Sequence, residues 1–476
     1  MLKSEDNFII GISGPSGVGK TTIANLISLL FKDGGLILSG DDLHKWERNS
    51  EKWNTYTHFN PDANELILGY KHILDLKNNI PIERSRYSHL TGKFEPKVKI
   101  NPSKTVIYEG LHALYDQKTI DIIDLKIYVD TNEDLTKEWK IKRDTQHRGY
   151  SKNQVVDVIE RRKIDQSLYI NPQKKNADVI VKFFKNNDEE IELDYFIINE
   201  NFNDFMIRLS DLYYQLQRFI FLSKNLSTDI SLTQSTGGNI SIKKNDILII
   251  KSSGYAMSSI NMFGGYSICE NINEIPKFEN ENLYDEFIKN LVYNNKKPSM
   301  EVGFHLKLKD NVVIHTHPVY LNTILCSNES KEIIKKLFDE TEFSCEYIEY
   351  VTPGYELSNI INNKKHKSIY FLENHGLIVT SDNILGALTT TKAINNRCKE
   401  WIDGHIEMFV DSDNTYQETI GPLFPDAIIL KEELKNINKY MLDLMKVCYL
   451  TPRFLNDNEI TKLLNLNSEK YRRQIL

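Results

Sequence analysis

Short apolar runs alternate with amphipathic stretches through the first two hundred residues. Phe8-Ile9-Ile10-Gly11-Ile12 is an uninterrupted apolar run and predicts a buried strand. Ile23-Ala24-Asn25-Leu26-Ile27, continued by Leu29 and Leu30, repeats its apolar positions at helical spacing. Further strands are expected at Gly35 to Ser39, Thr105 to Glu109 and Leu125 to Asp130. Helices are expected from Ala63 to Leu76 and around Lys140, Arg143 and Asp144. This alternation predicts an α/β fold, a parallel sheet flanked by helices. Pro81 to Pro102 shows neither period and reads as loop. From Phe183 to Asp204 the chain turns acidic and polar around a strand-like Leu193 to Ile198, and a helical pattern then runs from Met206 to Leu222. A boundary is expected at about 204, giving domains 1–204 and 205–476.

Composition narrows the class. A chain of 476 residues is too long for one ordinary core. Its 40% apolar and 26% charged residues are those of a soluble globular protein. With 59 basic against 66 acidic residues, a net charge of −7, nucleic acid is not expected as a partner. No apolar stretch approaches membrane-spanning length, so no membrane partner is expected. The first strand starts too early to leave room for a signal peptide. Cys269, Cys326, Cys345, Cys398 and Cys448 are scattered without metal spacing, and reduced thiols in a cytoplasmic protein are the expectation.

Gly14-Pro15-Ser16-Gly17-Val18-Gly19-Lys20-Thr21, followed by Thr22, lies between the first strand and the first helix. That is the context in which G-x-x-x-x-G-K-[ST] cradles nucleotide phosphates. Successive N–H groups face phosphate oxygens, and the helix N-terminus adds positive potential. Lys20 is expected at the outer phosphates and the Thr21 hydroxyl on Mg²⁺. Gly40-Asp41-Asp42-Leu43-His44 and Glu109-Gly110 stand past the ends of two further strands, where open α/β sheets bind ligands. The two aspartates suit a base for a substrate hydroxyl, a Mg²⁺ contact or both; a solvated turn capping a helix is the plainer alternative. Glu109 suits Mg²⁺ or its water shell. Lys140, Arg143 and Arg148, then Arg161-Arg162, bracket Gly149 as a lid over phosphates would. Any one of these basic residues alone reads as solvated surface.

Together with Thr57 to Asn64, Tyr87 to Gly92, Glu109 to Tyr115 and Tyr169 to Gln173, these segments resemble the phosphoribulokinase/uridine kinase family in order. The resemblance spans nearly the whole first half and implies a P-loop NTPase-type parallel sheet and an ATP-dependent kinase using Mg²⁺. Asp41 would be the base for the accepting hydroxyl, Lys20 would act on the phosphates, and Thr21, Asp42 and Glu109 would surround Mg²⁺. His44, Lys140, Arg143, Asp144 and Arg148 would meet substrate or phosphates. The histidine after the aspartates and Thr57-His58-Phe59 favour the phosphoribulokinase side, hence a sugar or sugar phosphate as acceptor.

In the second half, Thr236-Gly237-Gly238-Asn239 and Ser252-Ser253-Gly254 are small-residue turns suited to an anion, though each alone reads as an ordinary hairpin turn. Val312-Val313-Ile314-His315-Thr316-His317 predicts a strand that places two imidazoles on one face. His375 follows the strand Ile369 to Leu372, and Pro298-Ser299-Met300-Glu301 reads as a helix start with Ser299 as cap and Glu301 in the first turn. Three neutral imidazoles with an open position suit Zn²⁺ or another divalent metal; paired strand histidines can also simply pack. His305 and His366 fit no such geometry and are read as supporting or surface residues.

The set, with Asn374-His375-Gly376-Leu377 and the tail Leu423-Phe424-Pro425-Asp426 to Glu469-Lys470-Tyr471-Arg472, is similar to the class II aldolase/adducin family from about Leu209 onward. That resemblance implies an α/β/α domain with a central, mainly antiparallel sheet and a homo-oligomer, dimer or tetramer. It makes His315, His317 and His375 the metal ligands and Glu301 the acid/base. Gly238, Asn239, Ser252, Ser253, Gly254 and Ser299 would hold the substrate's phosphate and carbonyl end. Tyr320 and Tyr255 are candidates for a second proton donor. A bifunctional enzyme is expected, a sugar kinase joined to a lyase that cleaves a ketose phosphate to dihydroxyacetone phosphate and an aldehyde. The alternatives are an epimerase, dehydratase or decarboxylase on the same site, or a non-catalytic binding or oligomerisation module.

Overall fold

The computed structural model describes residues 7–32, 34–272, 275–293, 296–339, 344–361, 367–408 and 421–475. His366 lies outside them. The chain forms two compact units, Met1–Tyr214 and Gln215–Leu476.

The first unit is built on strands β1 (Phe8–Ser13), β2 (Leu36–Ser39), β3 (Thr105–Glu109), β4 (Leu125–Val129), β5 (Val179–Lys185) and β6 (Ile191–Ile197). They lie in the order β6-β5-β4-β1-β3-β2. β1 pairs in parallel with β3 and β4, β2 with β3, and β5 with β4; only β6 runs antiparallel, as a hairpin on β5. β1 is central, and Ile9, Ile10 and Ile12 are fully buried, which is why it reads as a continuous apolar run rather than an alternating one. The helix Lys20–Ser28 follows β1. The stretch expected to be loop contains two small antiparallel pairings, Ile82–Arg84 with Val98–Ile100 and Tyr87–Ser88 with Lys93–Phe94. Strands of two and three residues are too short to show a period. The helix expected from Ala63 starts at Leu66, after a 3₁₀ turn at Pro61–Ala63.

The helix expected from Met206 runs from Asn203 to Ser227, and the two units divide inside it. Its beginning belongs to the first unit, where the Tyr213 and Tyr214 hydroxyls donate to the β6 carbonyls of Ile191 and Leu193 at 2.8 and 3.0 Å. Ser223, further along, donates to Met257 O in the second unit. A helix shared in this way leaves no linker in the composition to mark the boundary.

The second unit holds β7 (Asn239–Lys244), β8 (Ile247–Lys251), β9 (Tyr266–Glu270), β10 (Val312–Thr316), β11 (Cys345–Ile348), β12 (Ile369–Leu372) and β13 (Gly376–Ser381). Their order is β9-β8-β7-β10-β13-β12-β11, and every pairing is antiparallel except β11 with β12. This is the mainly antiparallel central sheet expected. The helices Val319–Leu325 and Ile384–Met408 pack on the sheet through a core of Leu321, Ile324, Phe371, Val379 and Ile394. A second cluster joins Leu423, Phe424, Leu434 and Met445 to Val319 and Cys326, docking the helix Lys431–Val447.

Candidate functional site

The phosphate-binding loop turns between β1 and the helix Lys20–Ser28. Gly19 stands at the helix cap with φ near +99°, and a Cβ there would lie 2.6 Å from the Phe183 ring. Both conformation and space therefore demand glycine. Lys20 Nζ donates back to the carbonyls of Gly14 and Pro15 at 2.9 and 2.8 Å. Burial lowers the Lys20 pKa, while the charges of Glu109 and Asp41 act to raise it. Those two carboxylates thus face the lysine from the ends of β3 and β2. Thr21 Oγ1 lies 3.5 Å from Glu109 Oε1. Burial raises Glu109 to about 7, opposed by Lys20.

Asp41 and Asp42 part company. Asp42 accepts from Tyr87 N–H at 2.8 Å and pairs with Arg84 Nε at 3.4 Å, so both its oxygens are engaged in holding the 82–88 segment. Asp41 instead meets His89 Nε2 at 3.2 Å. Burial pushes its pKa up, but the His89 hydrogen bond, with the Lys20 charge adding to it, outweighs this and holds it well below the usual carboxylate range. Asp41 is therefore held as an ionised carboxylate. His44 sits in an aromatic box of Trp53, His58 and Tyr87, and burial keeps it neutral with a pKa of about 4. Arg162 Nη2 reaches His58 Nδ1 at 2.9 Å. Only the packing brings His89 onto Asp41 and sets His58 and Arg162 beside His44.

On the helix Glu133–His147, Asp144 gathers three cations: Lys140 Nζ at 2.9 Å, Arg143 Nε at 2.8 Å and Arg148 Nε at 3.5 Å. Burial would raise Asp144, but the Arg143 hydrogen bond and the charges of Lys140 and Arg143 bring it down to about 2. Lys140 Nζ and Arg143 Nη2 also lie 3.5 and 3.4 Å from the loop's Ser16 Oγ. Asp144 therefore orders basic groups that face the loop. Beside the loop opens a cavity of about 900 Å³, lined by Pro15, Val18, Thr131, Asn132, Lys174 and Phe183 among others.

In the second unit, His315, His317 and His375 are all buried, and their ligand nitrogens converge within 4.8 Å of one another. His317 lies just past the end of β10, which closes at Thr316. His315 Nδ1–H donates to Leu377 O at 3.0 Å across the β10–β13 pairing, and Asp426 Oδ2 lies 2.9 Å from His317 Nδ1. The Nε2 atoms of His315 and His317 lie 3.1 Å apart. Burial lowers the pKa of His315, and that of His375 to about 3, which favours their neutral, ligating forms. The donor set fits a divalent metal.

Glu301 stands beside the triad, its oxygens 3.3 Å from His315 Nε2 and 3.4 Å from His375 Nε2. It does not sit within the first helical turn as expected: the helix runs from Val302 to Lys307, Glu301 occupies the cap position, and the Ser299 hydroxyl accepts from its N–H. Burial raises Glu301 to about 7, offset in part by the Asn239 hydrogen bond, at 2.8 Å, and by His317. Asn239 pairs with His315 in register across β7 and β10, and its Oδ1 meets His305 Nε2. His305, whose Nδ1 meets Ser241 Oγ at 2.7 Å, is fully buried, so the surface alternative for it is excluded. Ser252 Oγ pairs with Ser267 Oγ at 2.8 Å, and Gly254 has φ near +79° in the turn after β8. Tyr320 packs between two core clusters with Lys399 over its ring, and Tyr255 is exposed. Sequence reading did not mark Lys251, buried beside these turns. Its Nζ donates to Thr236 O and Tyr255 O at 3.0 and 2.7 Å, and burial lowers its pKa to about 7.

Residues 9–190 match the model of the phosphoribulokinase/uridine kinase family, and residues 221–402 match the class II aldolase and adducin N-terminal domain. The phosphoribulokinase of Synechocystis is 37% identical over 175 residues, 37% of this chain and 53% of the relative. A uridine kinase of Borrelia garinii is 34% identical over 186 residues, 38% of this chain and 90% of the relative. The chain spans about half the length of the phosphoribulokinases it matches. A solved structure of the N-terminal class II aldolase domain of a conserved Thermoplasma acidophilum protein covers 39% of this chain and 92% of its own. It is 22% identical, with a TM-score of 0.35. Among the described residues no helix is long and apolar enough to cross a membrane.

Proposed function

Since the chain belongs to the phosphoribulokinase/uridine kinase family through residues 9–190 and carries a class II aldolase domain at 221–402, we propose that it is a bifunctional enzyme of sugar metabolism. The first unit transfers the terminal phosphoryl group of ATP to a hydroxyl of a sugar or sugar phosphate. The observation that carries this is Asp41, set in the turn after β2 with His89 Nε2 at 3.2 Å, in the same unit as the glycine loop that holds Lys20. Asp41 takes the hydroxyl proton, Lys20 and the Gly14–Gly19 N–H groups hold the phosphates, and Thr21 with Glu109 serves Mg²⁺. Lys140, Arg143 and Arg148, ordered by Asp144, neutralise the charge in transfer. The Arg162 guanidinium, 2.9 Å from His58 in the packing around His44, suits an acceptor that itself carries an anionic group. The cavity beside the loop suits the nucleotide base.

The second unit cleaves a ketose phosphate by a retro-aldol reaction, giving dihydroxyacetone phosphate and an aldehyde, or runs the reverse. The carrying observation is the buried, convergent triad with Glu301 alongside. Held by His315, His317 and His375, a divalent ion, Zn²⁺ foremost, supplies Lewis acidity toward the substrate oxygens. Glu301, with its pKa near neutrality, takes and returns the proton at the carbon beside the carbonyl. Asn239 orients Glu301, and the Ser252-Ser253-Gly254 turn with Gly238 and Ser299 offers donors to the substrate's phosphate. Phosphorylation by the first unit supplies the dianion the second would grip. We further read the protein as a cytoplasmic homo-oligomer.

A coupled screen tests both parts: ketoses, sugar acids and their phosphates are incubated with ATP, and ADP and triose phosphate are read separately. ADP release without triose phosphate from any phosphorylated product, with an epimer, dehydrated acid or CO₂ formed instead, would replace the lyase by one of those chemistries. Metal analysis of the purified chain separates catalysis from a binding module: about one ion per chain is expected.

A further inference from the structure

The family match in the second half ends at residue 402, yet the segment 421–475 reaches back into the histidine centre at three points. Asp426 Oδ2 lies 2.9 Å from His317 Nδ1, and its other oxygen accepts from Arg472 Nη1 at 2.7 Å. Arg472 Nη2 donates to Thr236 Oγ1 at 2.8 Å, on the loop that leads to Gly238 and Asn239, and its Nη1 is 3.6 Å from Glu469. On the other side of the centre, Asn374 adopts φ near +51° directly before His375. Its Nδ2 donates to Leu423 O and Arg453 O at 2.7 and 2.6 Å, and its Oδ1 accepts from Arg453 Nη1 at 2.7 Å. Asp426 is 3% exposed. A carboxylate so buried is costly unless its charge is answered, and here the Arg472 guanidinium answers it while the His317 imidazole stands at hydrogen-bond distance.

Position 237 bears on the same contact. A Cβ at Gly237 would lie 2.4 Å from Asp426 Oδ2 and 3.2 Å from His317 Nδ1. Only glycine leaves the carboxylate room to reach the imidazole. A ligating histidine is oriented through its other ring nitrogen, and such partners typically govern metal affinity by 10–100-fold.

We propose that segment 421–475 completes the metal centre: Asp426 is the positioning residue for His317, and Arg472 clamps Asp426 while tying it to the Thr236–Asn239 loop. The side chain at 426 fixes which imidazole nitrogen is left to bind and where it points. The centre is thus assembled from both the matched domain and the segment beyond it. This rests on the reading of His315, His317 and His375 as metal ligands.

The test is zinc affinity of the full-length protein, measured by competition with a chromophoric chelator, alongside thermal unfolding of the metal-free protein. Asp426→Asn keeps the shape but removes the charge, and is expected to weaken zinc binding about 10–100-fold. Arg472→Ala is expected to weaken it by a smaller factor, with Arg472→Lys recovering part of the loss. Gly237→Ala, which leaves both charges in the chain, is expected to act like Asp426→Asn and serves if that variant does not fold. Zinc affinity unchanged in Asp426→Asn and Gly237→Ala overturns the proposal, and so does lowered stability with unchanged affinity, which would make the Asp426–Arg472 pair a packing feature alone. A native chain that takes up no divalent ion overturns the metal reading itself, a distinct result.

Discussion

The phosphate-binding loop and the histidine centre differ in how they are assembled. The loop is contiguous, residues 14–21, and its backbone direction is set by positive φ at Gly14, Gly17 and Gly19. The centre draws Asn239, Glu301, His315, His317, His375 and Asp426 from separate elements, and side chains do all the work. A site made of local backbone carries its geometry in consecutive residues. A site made of side chains has none until the sheet register brings its members together, as Asn239 opposite His315 shows.

Breaking the two sites separately should show whether they act independently. Lys20→Ala is expected to reduce phosphoryl transfer by about a thousand-fold, as loss of a preorganised charge at a reacting phosphate does. Metal content and cleavage of a supplied ketose 1-phosphate should stay at the native level; a parallel fall of both in a folded variant would make them one system. His315→Ala is the mirror experiment: metal retention and cleavage are lost while ADP formation continues. Asp41→Asn sharpens the kinase side, with turnover expected to drop roughly 10²–10⁴-fold and ATP binding, followed by isothermal titration, little changed.

Gly19→Ala tests how strictly local backbone governs the loop. With φ near +99° and Phe183 2.6 Å from the new methyl, the substitution should cost about 1–3 kcal/mol of first-unit stability, read by urea unfolding. The smallest effect concerns Asp144, whose folded pKa of about 2 lies below its ordinary 3.8. A depressed carboxylate stabilises fully above its unfolded pKa and loses that contribution as pH falls through the folded one. The stability gap between the native chain and Asp144→Asn should therefore be constant above about pH 5 and shrink between pH 4 and 2. A gap independent of pH over that range would remove Lys140, Arg143 and Arg148 from charge pairing with Asp144.

Several features escaped the sequence for identifiable reasons. Asp41 and Asp42 are adjacent and chemically alike, and only the Arg84 and Tyr87 contacts show that Asp42 is engaged with the 82–88 segment. His305 looks like any histidine in an apolar stretch until its nitrogens are found bridging Ser241 and Asn239. Asp426 and Arg472 lay within a recognised tail but had no pattern of their own, because their partners are far away in the chain. The division inside the helix Asn203–Ser227 was hidden because a continuous helix carries no breaker residues.

By itself the sequence determined the strand–loop–helix with its Gly-Lys-Thr turn, the alternation that makes a parallel sheet, and the histidine pair at the end of a strand. These follow from local rules: residue period, backbone freedom at glycine, and strand alternation act over a few residues. Tertiary structure alone decided that Asp42 is spent on Arg84 and Tyr87 while Asp41 meets His89, and that His317 and Asp426 come within 2.9 Å. Those are matters of charge and desolvation between distant parts of the chain, and they exist only once packing has brought the parts together.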